Sequence, residues 1–241
     1  MSAPFRDNIG LPSRVSPRVT SLLYPFGSRV LLPLYFDKIQ IEGQEHLPQS
    51  GPLLIAPTHR SRWDGLVIGH CFGRPATGRD PRYMVSVNEM RGVQGWVIRQ
   101  FGGFAVDPDA PAVTVLRHGI DLLLRDQAVV IFGEGDIFYE RQVNYIKPGL
   151  ARIALQAQKR AVRRRHHSPI RILPVGLYYS ESQPTKGSSV DVRFGPTLNV
   201  EDYLSASSKC AAAKLTADLK RSLNVLMTKD SPMSLVPAQA L

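Results

Sequence analysis

Two uninterrupted apolar runs, Leu53-Leu54-Ile55-Ala56 and Ala128-Val129-Val130-Ile131-Phe132, constrain this chain more than anything else in it. Each is too short for a helix and offers no polar position to water, so each reads as a buried strand. Strands of that kind need cover on both faces, and the remaining segments supply it. Helices are expected over residues 64–72, 89–101, 111–125 and 149–164, and further strands over 38–43, 82–87, 103–106, 170–178 and 190–194. Pro174 marks the strand at 170–178 as bulged or near an edge. Asn199, with Asp202 three residues on, is expected to cap a long C-terminal helix whose apolar face holds Leu204, Leu215, Leu219, Leu223 and Leu226. Strands alternate with helices, no repeat occurs and no linker divides the chain. The fold class is therefore α/β, a single domain with a mixed, mostly parallel sheet flanked by helices. Its expected limits are 37–230, after an N-terminal arm and apolar segment at 1–36 and before a frayed tail at 231–241.

Charge narrows the partners. Of 241 residues, 30 are Lys or Arg and 20 are Asp or Glu, a formal net charge of +10. Such a balance favours an anionic partner: nucleic acid, an anionic membrane surface, a phosphorylated substrate or an acidic carrier protein. Cys71 and Cys210 lie far apart and indicate free thiols, with no disulfide framework and no metal cluster. Near the N-terminus no small-residue cleavage site follows the mildly apolar stretch. Residues 19–36 are too broken by Pro25, Arg29 and Pro33 to span a membrane. Their aromatic residues and flanking arginines suit a segment lying in the membrane interface, and equally a helix packed on the core.

Chemistry concentrates after the first apolar run. His59 and Asp64 stand where strand gives way to helix, the place where α/β proteins put their sites. A carboxylate on one ring nitrogen fixes the tautomer and leaves the other nitrogen free as a base. A five-residue offset is about 500° of helix, so the two side chains meet only if His59 lies before the first turn. The second run ends in Gly133-Glu134-Gly135, where glycines let backbone amides approach a ligand and the carboxylate can bind a hydroxyl.

In that order the motifs resemble those of the glycerolipid acyltransferase family, the 1-acylglycerol-3-phosphate O-acyltransferases above all. Thr58-His59-Arg60-Ser61-Arg62-Trp63-Asp64 is similar to the family's first block, Asn-His-x-Ser-x-x-Asp. Gly103-Phe104-Ala105-Val106-Asp107-Pro108 resembles the second, which ends in arginine. Phe132-Gly133-Glu134-Gly135-Asp136-Ile137 resembles the third, Phe-Pro-Glu-Gly-Thr-Arg, and Lys147-Pro148-Gly149 its Lys-x-Gly. Ile172-Leu173-Pro174-Val175-Gly176 matches the apolar fourth. The likeness covers residues 38–200. Its departures are Pro108, Asp136 and Ile137, which stand where the family carries the residues that would hold an acceptor phosphate. An arginine-to-isoleucine change removes a charge-assisted clamp of about 1.5–3 kcal/mol per hydrogen bond.

The resemblance implies a fatty acyl transfer from a thioester to a lysolipid hydroxyl, lysophosphatidate by default, in phospholipid synthesis. His59 would be the general base and Asp64 its orienting carboxylate. Ser61 would support them, Glu134 would anchor the acceptor or brace the turn, and the amides beside Gly135 would serve the oxyanion. Arg60 and Arg62, with Lys147 and Arg91, would replace lost phosphate contacts. No cofactor or metal is implied; acyl-CoA or an acyl carrier protein thioester is the co-substrate. The missing arginines also admit a different lysolipid or a neutral alcohol, and a second class of function is a non-catalytic lipid-binding homologue. The cluster Lys159-Arg160-Ala161-Val162-Arg163-Arg164-Arg165-His166-His167 is either a solvated helix end or a dock for anionic lipid or an acidic carrier protein. No RNA motif or helix-turn-helix spacing accompanies it, which argues against nucleic acid. The implied location is peripheral or monotopic, on the cytoplasmic face of a membrane.

Overall fold

The computed structural model describes residues 13–107, 112–165, 168–205 and 207–228. Its strands are β1 (Phe36–Glu42), β2 (Leu53–Pro57), β3 (Arg82–Ser86), β4 (Phe104–Val106), β5 (Ala128–Val130), β6 (Arg171–Tyr179), β7 (Ser188–Phe194) and β8 (Leu198–Asn199). They form one sheet in the order β1-β7-β6-β2-β5-β3-β4, with β8 beside the start of β6. Pairing is parallel for β6-β2-β5-β3-β4 and for β1-β7, and antiparallel where β7 and β8 meet β6. The sheet is thus mixed and mostly parallel.

Side-chain alternation along β2 explains the two cores. Leu54 faces a cluster built with α6 (Val113–Leu123), α7 (Gly149–Arg163) and α8 (Ser208–Met227). Leu53 and Ile55 face the opposite cluster, with Val67, Ile68 and Phe72 of α3 (Asp64–Phe72). Every residue of β2 is buried. A single α-helical turn at Arg74–Thr77 and a helix at Gly92–Gln100 lie between α3 and α6.

The N-terminal segment is helical from Pro17 to Tyr35. It is α-helical at Pro17–Phe26 and Leu32–Tyr35 and widens to a π turn at Gly27–Leu31, where the Leu32 amide reaches back to the Gly27 carbonyl. Pro33 cannot donate to the preceding turn and its ring crowds it, which accounts for the local widening. The expectation of a helix packed on the core holds for one of its faces. Thr20, Tyr24, Gly27 and Leu32 face the core, while Leu22, Phe26, Val30 and Leu34 stand exposed. Among the described residues no helix is long and apolar enough to cross a membrane.

Two sequence expectations are corrected. Pro174 lies in an interior strand of regular register, with Ala56 opposite it. Its other side falls between the stretch of β6 paired to β8, ending at Ile172, and the stretch paired to β7, starting at Val175. The missing amide therefore costs no ladder bond. The C-terminal helix starts at Ser208, capped by the Ser207 hydroxyl, because Asn199 belongs to β8 and residues Val200–Tyr203 form a separate 3₁₀ turn.

Candidate active site

The carboxyl ends of β2, β5 and β6 bring the chemical residues together. Pro57 ends β2, and the next residue ties the turn down: the Thr58 amide donates to the Val175 carbonyl at 2.9 Å, and its Oγ1 accepts from the Leu177 amide at 2.9 Å. His59 follows before the first turn of α3, the placement that lets it reach Asp64. Its Nδ1 lies 2.8 Å from Asp64 Oδ2. The ring stacks on Phe132, centroids 4.2 Å apart and planes 25° apart.

Asp64 is fully buried, and a bare carboxylate there would cost several kcal/mol or take up a proton. The turn prevents this. Besides His59, Oδ2 accepts the amides of Arg60 at 2.6 Å and Ser61 at 2.9 Å, and Oδ1 accepts the Tyr179 hydroxyl at 2.7 Å. A carboxylate so supplied with donors is solvated by the protein in place of water, and as an acceptor it orients the imidazole with Nδ1–H toward Oδ2. Nε2 is then a lone-pair base, on a side chain 21% exposed.

Glu134 is brought to the same turn by β5. Its Oε1 accepts the His59 amide at 3.1 Å and Arg60 Nη1 at 2.8 Å, and its Oε2 accepts the Asn144 amide at 3.0 Å. The His59 carbonyl is held by Arg60 Nη1 and the Phe138 amide, each at 2.9 Å. Of the two roles open to Glu134 in the sequence, the geometry is that of the brace.

Arg60 differs from expectation in kind. It is 4% exposed, Nη1 is shared between Glu134 and the His59 carbonyl, and Nε and Nη2 are closed from solvent. It is turned inward as part of the turn's frame and does not present a guanidinium to an acceptor phosphate. Ser61 is likewise buried; its hydroxyl accepts the Trp63 amide at 3.2 Å, so it too serves the turn. At the loop whose amides beside Gly135 are expected to serve an oxyanion, the Gly135 amide itself donates to the Phe132 carbonyl at 3.1 Å. Gly135 has φ +76°, and the Lys147 side chain crosses its α-carbon so closely that a β-carbon would lie 2.6 Å from Lys147 Cε. Lys147 therefore stands beside the Glu134 turn. Arg62 is exposed and pairs with Glu89 at 3.4 Å. Asp136 binds the next amide, that of Ile137.

Other expected residues lie apart. Pro108, His166 and His167 fall outside the described residues. Half-buried His70 and His118 are each lowered in pKa, chiefly by burial, and His118 meets Ser13. The basic end of α7 is about 21 Å along the helix axis from its start near Lys147, so it does not border the catalytic turn. Tyr179 was not among the sequence candidates; its one signal is a polar-tipped ring at the carboxyl end of an apolar strand.

Comparison with known proteins adds a family and a fold. A family model described as Acyltransferase matches residues 38–178. The 1-acyl-sn-glycerol-3-phosphate acyltransferase of Streptococcus pneumoniae (strain ATCC BAA-255 / R6) is 27% identical over 173 residues, 69% of this chain and 54% of that protein. The chain thus spans about half the length of that relative. In fold it is similar to the crystal structure of the 1-acyl-sn-glycerophosphate (LPA) acyltransferase PlsC from Thermotoga maritima. The TM-score is 0.60 at 19% identity, over 86% of this chain and 80% of that one. With the family match spanning the His59 turn, the Glu134 loop and nearly all of β6, the chain belongs to the acyltransferase family.

Proposed function

We propose that this protein moves a fatty acyl group from an acyl thioester to the hydroxyl of a lysolipid, in phospholipid synthesis. The observation that carries the reading is the 2.8 Å contact of His59 Nδ1 with a buried Asp64 whose carboxylate accepts three further hydrogen bonds. His59 Nε2 takes the acceptor's hydroxyl proton as its oxygen attacks the thioester carbonyl. Asp64 stabilises the imidazolium as it forms, by the logic of the serine-protease triad with the substrate alcohol in the serine's place. Collapse of the tetrahedral intermediate breaks the carbon–sulfur bond, and the imidazolium proton goes to the departing thiolate. The products are an ester and a thiol, and no enzyme nucleophile is required.

Lysophosphatidate is the acceptor favoured by the names of both relatives. A second reading, a lysolipid without a phosphomonoester or a neutral alcohol, is supported by the inward turn of Arg60 and by Asp136 and Ile137 in place of the family's threonine and arginine. Lys147, beside Gly135, and exposed Arg62, which also pairs with Glu89, are with Arg91 the cations offered to a phosphate under the first reading. The donor is acyl-CoA or an acyl carrier protein thioester. The protein works as a peripheral or monotopic enzyme on the cytoplasmic face of an anionic membrane. Exposed Leu22, Phe26, Val30 and Leu34, with exposed Arg18 and Arg29 on the same helical segment, support this, as do exposed Val93 and Trp96.

Thiol release from palmitoyl-CoA and palmitoyl carrier protein, measured against lysophosphatidate, other lysolipids and a monoacylglycerol, tests the proposal. Wild type is expected to release thiol only when an acceptor is present, and His59→Ala to abolish it. Equal rates in His59→Ala would sink the mechanism, and a strict phosphomonoester requirement would remove the second reading.

A further inference from the structure

Asp64 receives one of its hydrogen bonds from outside the catalytic turn. Tyr179, the last residue of β6 and 5% exposed, donates its hydroxyl to Oδ1 at 2.7 Å. The other three donors, His59 Nδ1 and the amides of Arg60 and Ser61, all meet Oδ2. The two oxygens are thus separately served, one by the turn and the base, the other by a phenol on a different strand.

We propose that Tyr179 is a positioning residue that sets the basicity of His59 by drawing charge from Asp64 through its hydroxyl. The inference rests on the His59–Asp64 reading above. A carboxylate beside an imidazole stabilises the imidazolium and raises its pKa; a donor on the far oxygen weakens that pull. The effect is large where water is excluded, and Asp64 is fully buried. Tyr179 thus tempers the pull of Asp64 on the imidazole while keeping Oδ2 aimed at Nδ1.

The groups facing this pair are few. Arg60 and Glu134 from the two loops form an ion pair with each other, which cancels most of their field. Lys147 lies beyond them across Gly135. Cys71, on α3, is pushed up to about 12 by burial and is uncharged. Ser61 touches the phenol from the turn and favours its ionised form, against the larger effects. Burial first, and then the Asp64 charge, hold the Tyr179 phenol well above its ordinary pKa, so it remains a donor across the working pH range.

The test is a nitrogen-15 NMR titration of the histidines, the His59 signal being assigned by its loss in His59→Gln. Tyr179→Phe is expected to raise the His59 pKa by about one unit, tenfold in proton affinity. The acidic limb of the kcat/KM profile should move up with it. Site-specific 3-fluorotyrosine at 179, a stronger donor of nearly the same size, is expected to lower the His59 pKa. This arm keeps the test decisive if Tyr179→Phe does not fold. Tyr178→Phe, on the neighbouring ring that meets Arg141, is expected to leave it unmoved. A His59 pKa unchanged within about 0.2 unit in Tyr179→Phe, or shifted in the same direction by both replacements, would overturn the proposal. So would a loss of thermal stability with no change in titration, the mark of a packing role alone. The titration needs no substrate, so an enzyme that acylates none of the acceptors tested refutes the functional reading without touching this one.

Discussion

Arg60 Nη1 and Glu134 Oε1 meet at 2.8 Å with both side chains shut away from water, 5% and 0% exposed. The pair joins the turn after β2 to the loop after β5, and the same carboxylate also binds the His59 amide. A charge left behind in such a place keeps only neutral backbone partners and loses its counter-ion. Arg60→Ala and Glu134→Ala are each expected to cost about 3–5 kcal/mol, a fall of about 10 °C in Tm for a chain of this size. The double variant should lose less than the sum. If Arg60→Ala kept its Tm and raised KM for phosphomonoester acceptors alone, Arg60 would be a substrate ligand after all. Thermal unfolding and acceptor kinetics on the same samples separate the outcomes.

Asp64→Asn keeps the shape of the side chain and loses its charge. The amide would accept from only one oxygen, and the imidazole would no longer be held with its proton on Nδ1. Thiol release should fall by about 10³–10⁴ while the variant stays folded. Single-turnover assays of thiol release check this; a loss under tenfold would mean that Asp64 does not orient the base.

Two glycines should respond in opposite ways to the same methyl group. Gly135 has φ +76° and Lys147 lies across it, so Gly135→Ala forces strain and pushes the lysine aside, at a cost of about 1–2 kcal/mol and with reduced activity. Gly119, inside α6, has open van der Waals contact only, its nearest neighbour Met84 Cε at 3.7 Å. Gly119→Ala should stabilise by about 0.5–1 kcal/mol. Denaturant titration of both variants reads the two signs.

The exposed face of the N-terminal helix predicts a phenotype without a folding defect. Leu22→Ser, Phe26→Ser and Leu34→Ser remove apolar groups that are 73, 52 and 63% exposed, so unfolding should barely change. Burial of each in a bilayer would contribute about 1–2 kcal/mol, so the triple variant should bind anionic vesicles at least about a hundredfold more weakly. Vesicle co-sedimentation measures it, and unchanged binding would assign the membrane contact elsewhere.

What the sequence reveals here depends on how local the physics is. β2 and β5 are visible because helices cover both their faces, which leaves apolar runs with no polar interruption. The His59–Asp64 contact follows from one offset at one strand end. By contrast, Asn199 and Asp202 carry a real capping pattern, but the local preference is absorbed by a strand end and a 3₁₀ turn before the helix begins at Ser208. Pro174 looks like an edge residue because the hand-over from β8 to β7 is a matter of tertiary pairing. Arg60 reads as a surface cation since only the distant Glu134 turns it inward, and Tyr179 reads as a strand end since only the fold brings it to Asp64.

The π turn at Gly27–Leu31 bears on the shape of the exposed helix face. In an unbroken α-helix, each four-residue step advances about 40°, so Leu22, Phe26, Val30 and Leu34 would spiral through about 120°. The wider turn takes up an extra residue and rotates the second half back beneath the first, which is why all four remain exposed together. Pro33, which interrupts the helix, thus straightens its exposed apolar line into a keel parallel to the helix axis. Restoring a regular helix would twist that keel and leave only half of it able to touch a flat surface at one time.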